Sequence, residues 1–318
     1  MTELPLPVRR LLERGAFCHV AAVTPDGPHI TPMVFAEAGG RVWVTTSRGS
    51  VKARAWRSDP RVAGMVRDGR EALMFTGTAT MHDALDPDSW GRSLRNGPLL
   101  ALAAVRFTRK NTRFFAGYAV DASRVPFAWT PPGRVFVELT IDRTALLDEA
   151  FGPRTWGDWP VGAASLDRFR AVRTGSTPLA PLPSDVREAL GEQGAGVLAV
   201  EGSDGPVALP VSWVEGGAAL YAVLSADSFA LAGVTTPKPP AALGVDHPSS
   251  WRARHMVGAM ARGDAEIYEI GALTSGERSA SEIARKAGLD DPGAVLVRLR
   301  PRRYVWWRGW TSGTVEAG

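Results

Sequence analysis

Hydrophobic and polar residues alternate along short segments of the chain, and turn residues separate these segments. The two-residue period runs through FCHVAAVT, HITPMVFAEA and RVWVTT, with PDGP and GG between them. Such alternation is typical of antiparallel strands that bury one face and are joined by tight turns. The pattern continues in RVAGMVRD, EALMFTGTATMHD and VFVELTID. The first half of the chain is therefore predicted to form a meandering antiparallel sheet.

Few helices interrupt these strands. A short helix is predicted over SVKARAWRS, because Ser50 is a suitable N-cap and Asp59-Pro60 ends the segment. A helical insertion is predicted from Pro87 to Val120, and another helix over SASEIARKAGL (279–289), which starts with Ser and ends with Gly. Short antiparallel strands with a single helix among them predict an all-β fold of small barrels rather than a parallel sheet.

The second half of the chain repeats the first. Asp26 to Ser50 match Asp204 to Ser228 without a gap, 178 positions further on, with eight identical pairs over 25 positions. The match resumes where FTGTATMHD (75–83) resembles MARGDAEIY (260–268), and again where VFVELTIDR (135–143) resembles VLVRLRPRR (295–303). A length of 318 residues also suits two domains. We predict domains at residues 1–160 and 185–318, joined by a Pro-rich linker at 161–184.

Composition narrows the possible classes of function. The chain is 45% hydrophobic and 22% charged, as globular proteins are, and it has no apolar segment of membrane-spanning length. The first residues lack the pattern of a signal peptide, so a cytoplasmic location and no membrane partner are expected. Cys18 is the only cysteine, which excludes an internal disulfide, and the five histidines lack close metal-binding spacing, so no metal site is expected. A net charge of +4 is modest for a nucleic-acid-binding protein, and no nucleic-acid partner is expected.

One stretch, TTSRGSVKA (45–53), concentrates hydrogen-bond donors where a strand ends and a helix begins. Hydroxyl groups come from Thr45, Thr46, Ser47 and Ser50, and Lys52 is one of only four lysines in the chain. The free N–H groups and the dipole of a helix N-terminus also favour an anion. This stretch is therefore a candidate phosphate site.

The second copy has lost these donors. Val223, Leu224 and Ala230 stand where the first copy has Thr45, Thr46 and Lys52. A purely structural motif should persist in both copies, whereas a ligand site is needed only once. The alternative explanation is a capped helix with a lysine whose ammonium lies in solvent.

These segments resemble a known family. DGPHITPMVF, RVWVTTSRGSVKARAWRSDPRVAGMV and FTGTATMHD are similar to the flavin-binding split barrel of pyridoxamine 5′-phosphate oxidase-like proteins, in which two barrels pair and FMN lies between them. The resemblance implies two fused split barrels, with one chain acting as a pseudo-dimer, either as a monomer or as a homodimer of that unit. It also implies an oxidoreductase that binds one FMN and acts on a small molecule.

The resemblance assigns cofactor contacts in both copies. In the first copy the strand residues beside the isoalloxazine ring would be His29, Thr31, Pro32 and Met33. The ribityl and phosphate contacts would come from the stretch Thr45, Thr46, Ser47, Ser50, Val51 and Lys52. In the second copy the opposite wall would come from Trp213, Trp251, Arg252 and Arg254.

Two other functions remain open at this point. A deazaflavin-dependent reductase would use the same fold. A non-catalytic carrier or sensor of flavin or haem would need the pocket but no turnover. A DNA-binding role would rest on ASEIARKAGLD, which is similar to the first helix of a helix-turn-helix, but the following DDPGAVLVRLR reads as a strand and leaves no recognition helix.

Overall fold

The computed structural model describes residues 3–121, 133–148, 151–160, 167–168, 182–216, 219–249, 251–270, 283, 285 and 294–317. The predicted helix over 279–289 therefore lies outside the described residues, apart from Ile283 and Arg285. The same is true of most of the predicted linker.

The first half of the chain forms a closed antiparallel barrel of six strands, with a seventh strand at its side. The strands follow the order β3-β2-β1-β4-β5-β6-β7, and β3 also pairs with β6 to close the barrel. The strands are β1 (Phe17–Ala22), β2 (His29–Ala38), β3 (Arg41–Ser47), β4 (Arg61–Asp68), β5 (Glu71–His82), β6 (Arg134–Asp148) and β7 (Phe151–Trp156). The predicted strands of this half are confirmed.

Five helices accompany this barrel. They are α1 (Leu6–Arg14), α2 (Val51–Ser58), α3 (Pro87–Arg95), α4 (Gly97–Lys110) and α5 (Thr112–Val120). Helix α1 buries Val8, Leu11 and Leu12, whose spacing puts them on one face. Helices α3 to α5 are the predicted helical insertion. In α4, Lys110 is held against the barrel, because its Nζ donates to the carbonyl of Leu12 at 2.5 Å and lies 3.4 Å from the centre of the Phe35 ring.

The second half forms another closed barrel of the same topology. Its order is β15-β14-β11-β10-β9-β12-β13-β8, closed by pairing of β14 with β13. The strands are β8 (Asp167–Arg168), β9 (Gln193–Gly202), β10 (Gly205–Gly216), β11 (Ala219–Ser225), β12 (Pro240–His247), β13 (Val257–Glu269), β14 (Ala294–Arg308) and β15 (Thr311–Glu316). The helices in the described part of this half include α6 (Ser184–Leu190), α7 (Ala226–Ala230) and a short 3-10 helix (Ala253–His255). Strand β8 pairs with β13, so the predicted linker supplies two residues to this sheet.

The register of the ladders follows the sequence repeat. Val20 pairs with Thr31 in the first barrel, and Leu198 pairs with Leu209, each 178 positions later, in the second. The match of 75–83 with 260–268 is wrong by one residue: the register shift of the β5–β6 ladder falls between Thr76 and Gly77, and that of the β13–β14 ladder falls between Arg262 and Gly263. Gly77 and Gly263 occupy equivalent positions, and a Cβ there would lie 1.8 and 1.9 Å from a backbone carbonyl oxygen. Arg262 is therefore the equivalent of Thr76.

The two barrels pack face to face about a pseudo-two-fold axis. Arg143 donates to Asp204 at 2.8 Å, and the equivalent Arg303 approaches Asp26 at 3.5 Å, so the two ion pairs cross the interface in opposite directions. One hydrophobic core runs from the second barrel into the first, where it includes Ile30. A separate core fills the interior of the first barrel and contains Cys18, whose thiol pKa burial raises to about 12. The fused pair thus has a continuous apolar interface.

Candidate functional site

The predicted donor stretch lies at the open end of the first barrel. Ser50 is the N-cap of α2, because its Oγ accepts a hydrogen bond from Ala53 N at 3.1 Å. The Ser50 hydroxyl also lies 2.9 Å from the Thr46 hydroxyl, and Ser50 N donates to the carbonyl of Ser47 at 2.9 Å. Two hydroxyls and the start of a helix therefore converge there. The neighbouring Val51 is 38% exposed.

Lys52 lies at the centre of this group. Its side chain enters the barrel end instead of reaching solvent, and only 4% of the residue is exposed. Its Nζ donates to the hydroxyl of Thr31 on β2. Burial lowers the pKa of Lys52 to about 7, and the nearby positive charge of Arg134 acts in the same direction. The ion pairs among the described residues include none with Lys52, so this buried ammonium has no carboxylate partner there.

A second cation, Arg134, joins the site from the first residue of β6. Its guanidinium donates to the Thr45 hydroxyl at 2.7 and 3.0 Å and to the Thr45 carbonyl at 2.7 Å. Burial lowers the pKa of Arg134, while the nearby Tyr118 opposes that shift. Arg134 directly precedes the repeated segment that starts at Val135. If the repeat is extended by one position towards the N-terminus, Arg134 aligns with Ala294. The second copy therefore lacks this cation, as it lacks Lys52.

The other predicted strand residues divide between the two faces of β2. Thr31 lies next to Lys52, and Met33 is buried in the barrel core. Pro32 lies opposite His19 in the β1–β2 ladder. His29 is buried, its Nδ1 has no hydrogen-bond partner, and burial together with the charges of Lys52 and Arg262 holds its pKa well below the usual range.

The barrel is open beside these residues. Strand β2 pairs with β3 only from Phe35 to Ala38, so its earlier part is paired with β1 alone. The second barrel closes one pair further, where Ser212 pairs with Val223. The equivalents of that pair, Val34 and Thr45, are not paired, and Arg134 binds the Thr45 carbonyl instead. The first barrel thus has the wider split.

The same place in the second barrel is filled by apolar residues. Leu209, Leu224 and Ala294 replace Thr31, Thr46 and Arg134, and all three are buried. Ala230, in place of Lys52, ends the five-residue helix α7. The second barrel therefore has no equivalent of the two buried cations, Lys52 and Arg134, at this position. Only the first barrel has the chemistry to hold an anion here.

The residues predicted for the opposite wall lie in two different places. Trp213 is the equivalent of Phe35 and faces into the second barrel, where it lines a small cavity with Leu190 and Leu243. Its inward direction follows from strand alternation, since Phe35 also lies in a barrel core.

The segment with Trp251, Arg252 and Arg254 does approach the first copy. A Cβ on Gly117 of α5 would lie 2.0 Å from the Trp251 carbonyl oxygen, and Arg254 lies 3.8 Å from Asp121 at the end of α5. The Trp251 side chain is 57% exposed, and Arg252 N donates to the Ser249 hydroxyl.

No sequence motif marks the residues that connect this segment to Lys52 and Arg134. Tyr118 on α5 packs edge-on against Trp310, with 4.9 Å between ring centres. The positive charge of Arg134 opposes the effect of burial, which raises the Tyr118 pKa to about 12. Tyr118 therefore lies between Arg134 of the first barrel and the β14–β15 turn of the second. Its spacing in the helical insertion gave no signal of this role.

Two fused six-stranded barrels of one topology define a tandem split-barrel fold. A family model described as Pyridoxamine 5′-phosphate oxidase matches residues 7–87. The match covers about a quarter of the chain, all of it within the first barrel, and the second barrel repeats that barrel's strand order.

Similar solved structures each cover about half of this chain. A pyridoxamine 5′-phosphate oxidase-related, FMN binding protein from Nostoc punctiforme is 18% identical, covers 48% of this chain and 84% of its own, and has a TM-score of 0.34. A conserved hypothetical protein from Mycobacterium tuberculosis is 24% identical. The match covers 46% of this chain and 86% of that protein, with a TM-score of 0.33. A protein described as F420 reductase is 23% identical. The match covers 44% of this chain and 98% of that protein, with a TM-score of 0.30. No curated protein matches.

Two further findings concern other classes of site. None of the helices in the described part of the chain is both long and apolar enough to cross a membrane. The described residues also include no group of three or more His, Cys, Asp or Glu side chains placed to hold a metal ion.

Proposed function

We propose that this protein binds one flavin-type cofactor, FMN or a deazaflavin, in the split of the first barrel and acts as an oxidoreductase on a small molecule. The observation that carries this proposal is the burial of Lys52 without a carboxylate partner among the described residues. A buried ammonium is costly unless an anion compensates it. A phosphate group is the anion that hydroxyls, a helix N-terminus and two cations together would bind.

The residues of the site would contact different parts of the cofactor. Lys52 and Arg134 would hold the phosphate, with the hydroxyls of Thr46 and Ser50 and the first N–H groups of α2. The open edge of β2, from His29 to Met33, would lie beside the ring system, and the orphaned His29 Nδ1 is a polar atom that a ligand there would satisfy. When bound, a cofactor of this class supplies the electron-transfer chemistry, and the protein has to orient it and exclude water.

The second barrel would serve as the other wall. The segment from Trp251 to Arg254 and the turn with Trp310 already contact α5, which carries Tyr118. One chain, with barrels in residues 1–160 and 185–318 and a linker at 161–184, would then do the work of two subunits. It would function as a monomeric pseudo-dimer or as a homodimer of that unit.

The test begins with the absorption and fluorescence spectra of the purified protein. A colourless protein is then titrated with FMN and, separately, with a deazaflavin cofactor, and the tighter binding assigns the class. The loaded protein is next assayed for oxidation of reduced nicotinamide and for reduction of a panel of acceptors. Binding without turnover would support the carrier or sensor role, and an absorption band of haem would redirect the assignment to that cofactor. Failure to bind either flavin would overturn the proposal.

A further inference from the structure

The helical insertion, α3 to α5, carries most of the exposed apolar side chains in the described part of the chain. Ten large hydrophobic residues are exposed there, and seven of them lie between Leu85 and Val120. Leu94 and Val105 are 81% and 65% exposed. Scattered single apolar residues are normal on a protein surface, whereas their concentration on one segment marks an interaction surface.

The most exposed of these side chains belong to two neighbouring helices. On α4, Leu102 and Val105 are three positions apart and lie opposite the buried face of that helix. On α3, Trp90 and Leu94 are four positions apart and therefore share a face. The two helices contact each other and are separated in the chain by Asn96 alone. The insertion thus presents apolar side chains from two adjacent helices to solvent.

The insertion is also strongly cationic. Residues 87–120 contain one acidic residue, Asp88, and six basic residues. The basic residues are Arg92, Arg95, Arg106, Arg109, Lys110 and Arg113. Arg95 on α3 and Arg109 on α4 are exposed, and none of the ion pairs among the described residues involves either of them. Arg109 follows Val105 by one helical turn, so a cation lies beside the apolar face.

Charge and shape distinguish the partners that could cover this surface. A second copy of the chain would bring like charges together across the contact, which is unfavourable. A protein partner would need a pocket for each protruding anchor, such as Leu94. A bilayer needs no pockets, because its headgroup region admits separate apolar side chains, and its anionic lipids attract arginine.

We propose that the helical insertion docks this protein on the surface of an anionic lipid bilayer. Helices α3 and α4 lie in the headgroup region, where Trp90, Leu94, Leu102 and Val105 enter the apolar boundary and the exposed arginines contact lipid phosphates. The lack of an apolar segment of membrane-spanning length does not bear on this contact, because short helices make it with one face.

The location relates the docking surface to the proposed cofactor site. Helix α5 continues the insertion and carries Tyr118, which packs against Trp310 of the second barrel. The insertion therefore borders that site on one side and faces solvent on the other. Docking depends on the insertion alone and needs no cofactor, so its test is separate from any titration with flavin.

Flotation of the full-length, cofactor-free protein with lipid vesicles tests this inference. One set of vesicles is phosphatidylcholine alone, and the other contains about 30% phosphatidylglycerol, which makes its surface anionic. We expect the protein to float with the anionic vesicles at low salt and to bind phosphatidylcholine vesicles at least about tenfold more weakly. Binding to the anionic vesicles should fall as the salt concentration rises to about 0.5 M.

A pair of charge variants locates the contact. Arg95→Gln combined with Arg109→Gln should lower binding to anionic vesicles about tenfold or more, since each basic residue near the surface adds to the attraction. Arg10→Gln combined with Arg154→Gln is the matched control, because it removes the same charge from exposed positions on α1 and β7. The control should bind within about twofold of the wild type, since those charges lie away from the docked face.

A second variant removes apolar contacts and keeps the charge. Leu94→Gln combined with Val105→Gln changes only exposed side chains, so it should fold and should bind anionic vesicles about tenfold more weakly. Leu6→Gln, at an exposed leucine on α1, is its control and should bind as the wild type does.

Several outcomes would overturn the inference. They are absence of binding to anionic vesicles, equal binding to both lipid compositions, and equal losses in a variant and its control. Binding of poly-L-glutamate without binding of vesicles would assign the surface to an acidic protein instead. A dimer in sedimentation velocity that Leu94→Gln with Val105→Gln dissociates, again without vesicle binding, would assign it to a second copy of the chain.

Discussion

The ammonium of Lys52 donates a hydrogen bond to the hydroxyl of Thr31, and this contact joins the start of α2 to the open edge of β2. Both side chains belong to the first barrel, and both are replaced by apolar residues in the second. Since the contact lies where the barrel is split, it marks the place where an anion would enter.

Lys52→Ala should lower cofactor affinity by about 10- to 100-fold, the range expected for a lost charge-assisted hydrogen bond. Lys238→Ala is the matched control, because Lys238 is exposed and pairs only distantly, at 3.9 Å, with Glu266. Fluorescence titration of both variants measures the difference. Equal binding curves would remove Lys52 from the site.

Lys52→Met should stabilise the cofactor-free protein. The pKa of Lys52 falls from an ordinary 10.5 to about 7 in the folded chain, so the unfolded chain binds the proton more tightly. The resulting destabilisation is complete below about pH 7 and disappears as the pH rises to 10.5. Urea unfolding at the two ends of that range should show a large gain near neutrality and a small one at alkaline pH. A gain that grows with pH would contradict this assignment.

Arg134→Lys should weaken cofactor binding about tenfold, because a lysine does not reproduce the forked contact with the Thr45 hydroxyl and carbonyl. The exposed Arg109 on α4 offers a control, and Arg109→Lys should bind as the wild type does. Titration with the cofactor that the wild type prefers measures both. Retention of full affinity by Arg134→Lys would show that Arg134 only orders β3.

Bound cofactor should amount to one per chain. The donors and the wide split occur in the first barrel, and the second barrel has Leu209, Leu224, Ala230 and Ala294 at the same positions. Quantifying released cofactor against protein concentration tests the ratio. A value of two would show that the apolar copy also binds.

Arg262→Met should lower the free energy of unfolding by about 2–4 kcal/mol, because it leaves buried acceptors unsatisfied. Arg262 of the second barrel donates to the carbonyls of Gly27 and Pro28 in the first, at 2.7 and 3.0 Å, and only 7% of it is exposed. Arg303→Met, at a more exposed arginine on β14, should lower the free energy of unfolding much less, because its ion pairs are solvated. Chemical unfolding compares them, and equal losses would mean that Arg262 is not the more important interface contact.

The confirmed predictions are those that depend on local pattern. Strand alternation indicated the barrel strands, and the cap at Ser50 follows from residue type at a helix start. The one-residue error at Gly77 and Gly263 arose because similarity of residue type does not fix the register of a strand, whereas the pairing of the ladders does.

The sequence by itself determined two related β units and a donor-rich stretch that survives in one of them, because side-chain periodicity and hydrogen-bonding groups are local properties. Only the tertiary structure decided that Arg134 reaches Thr45, that Trp213 faces into its own barrel, and that His19 meets Asp246. Barrel closure and the packing of two barrels bring together residues that are far apart in the chain. No local pattern specifies which of them will meet.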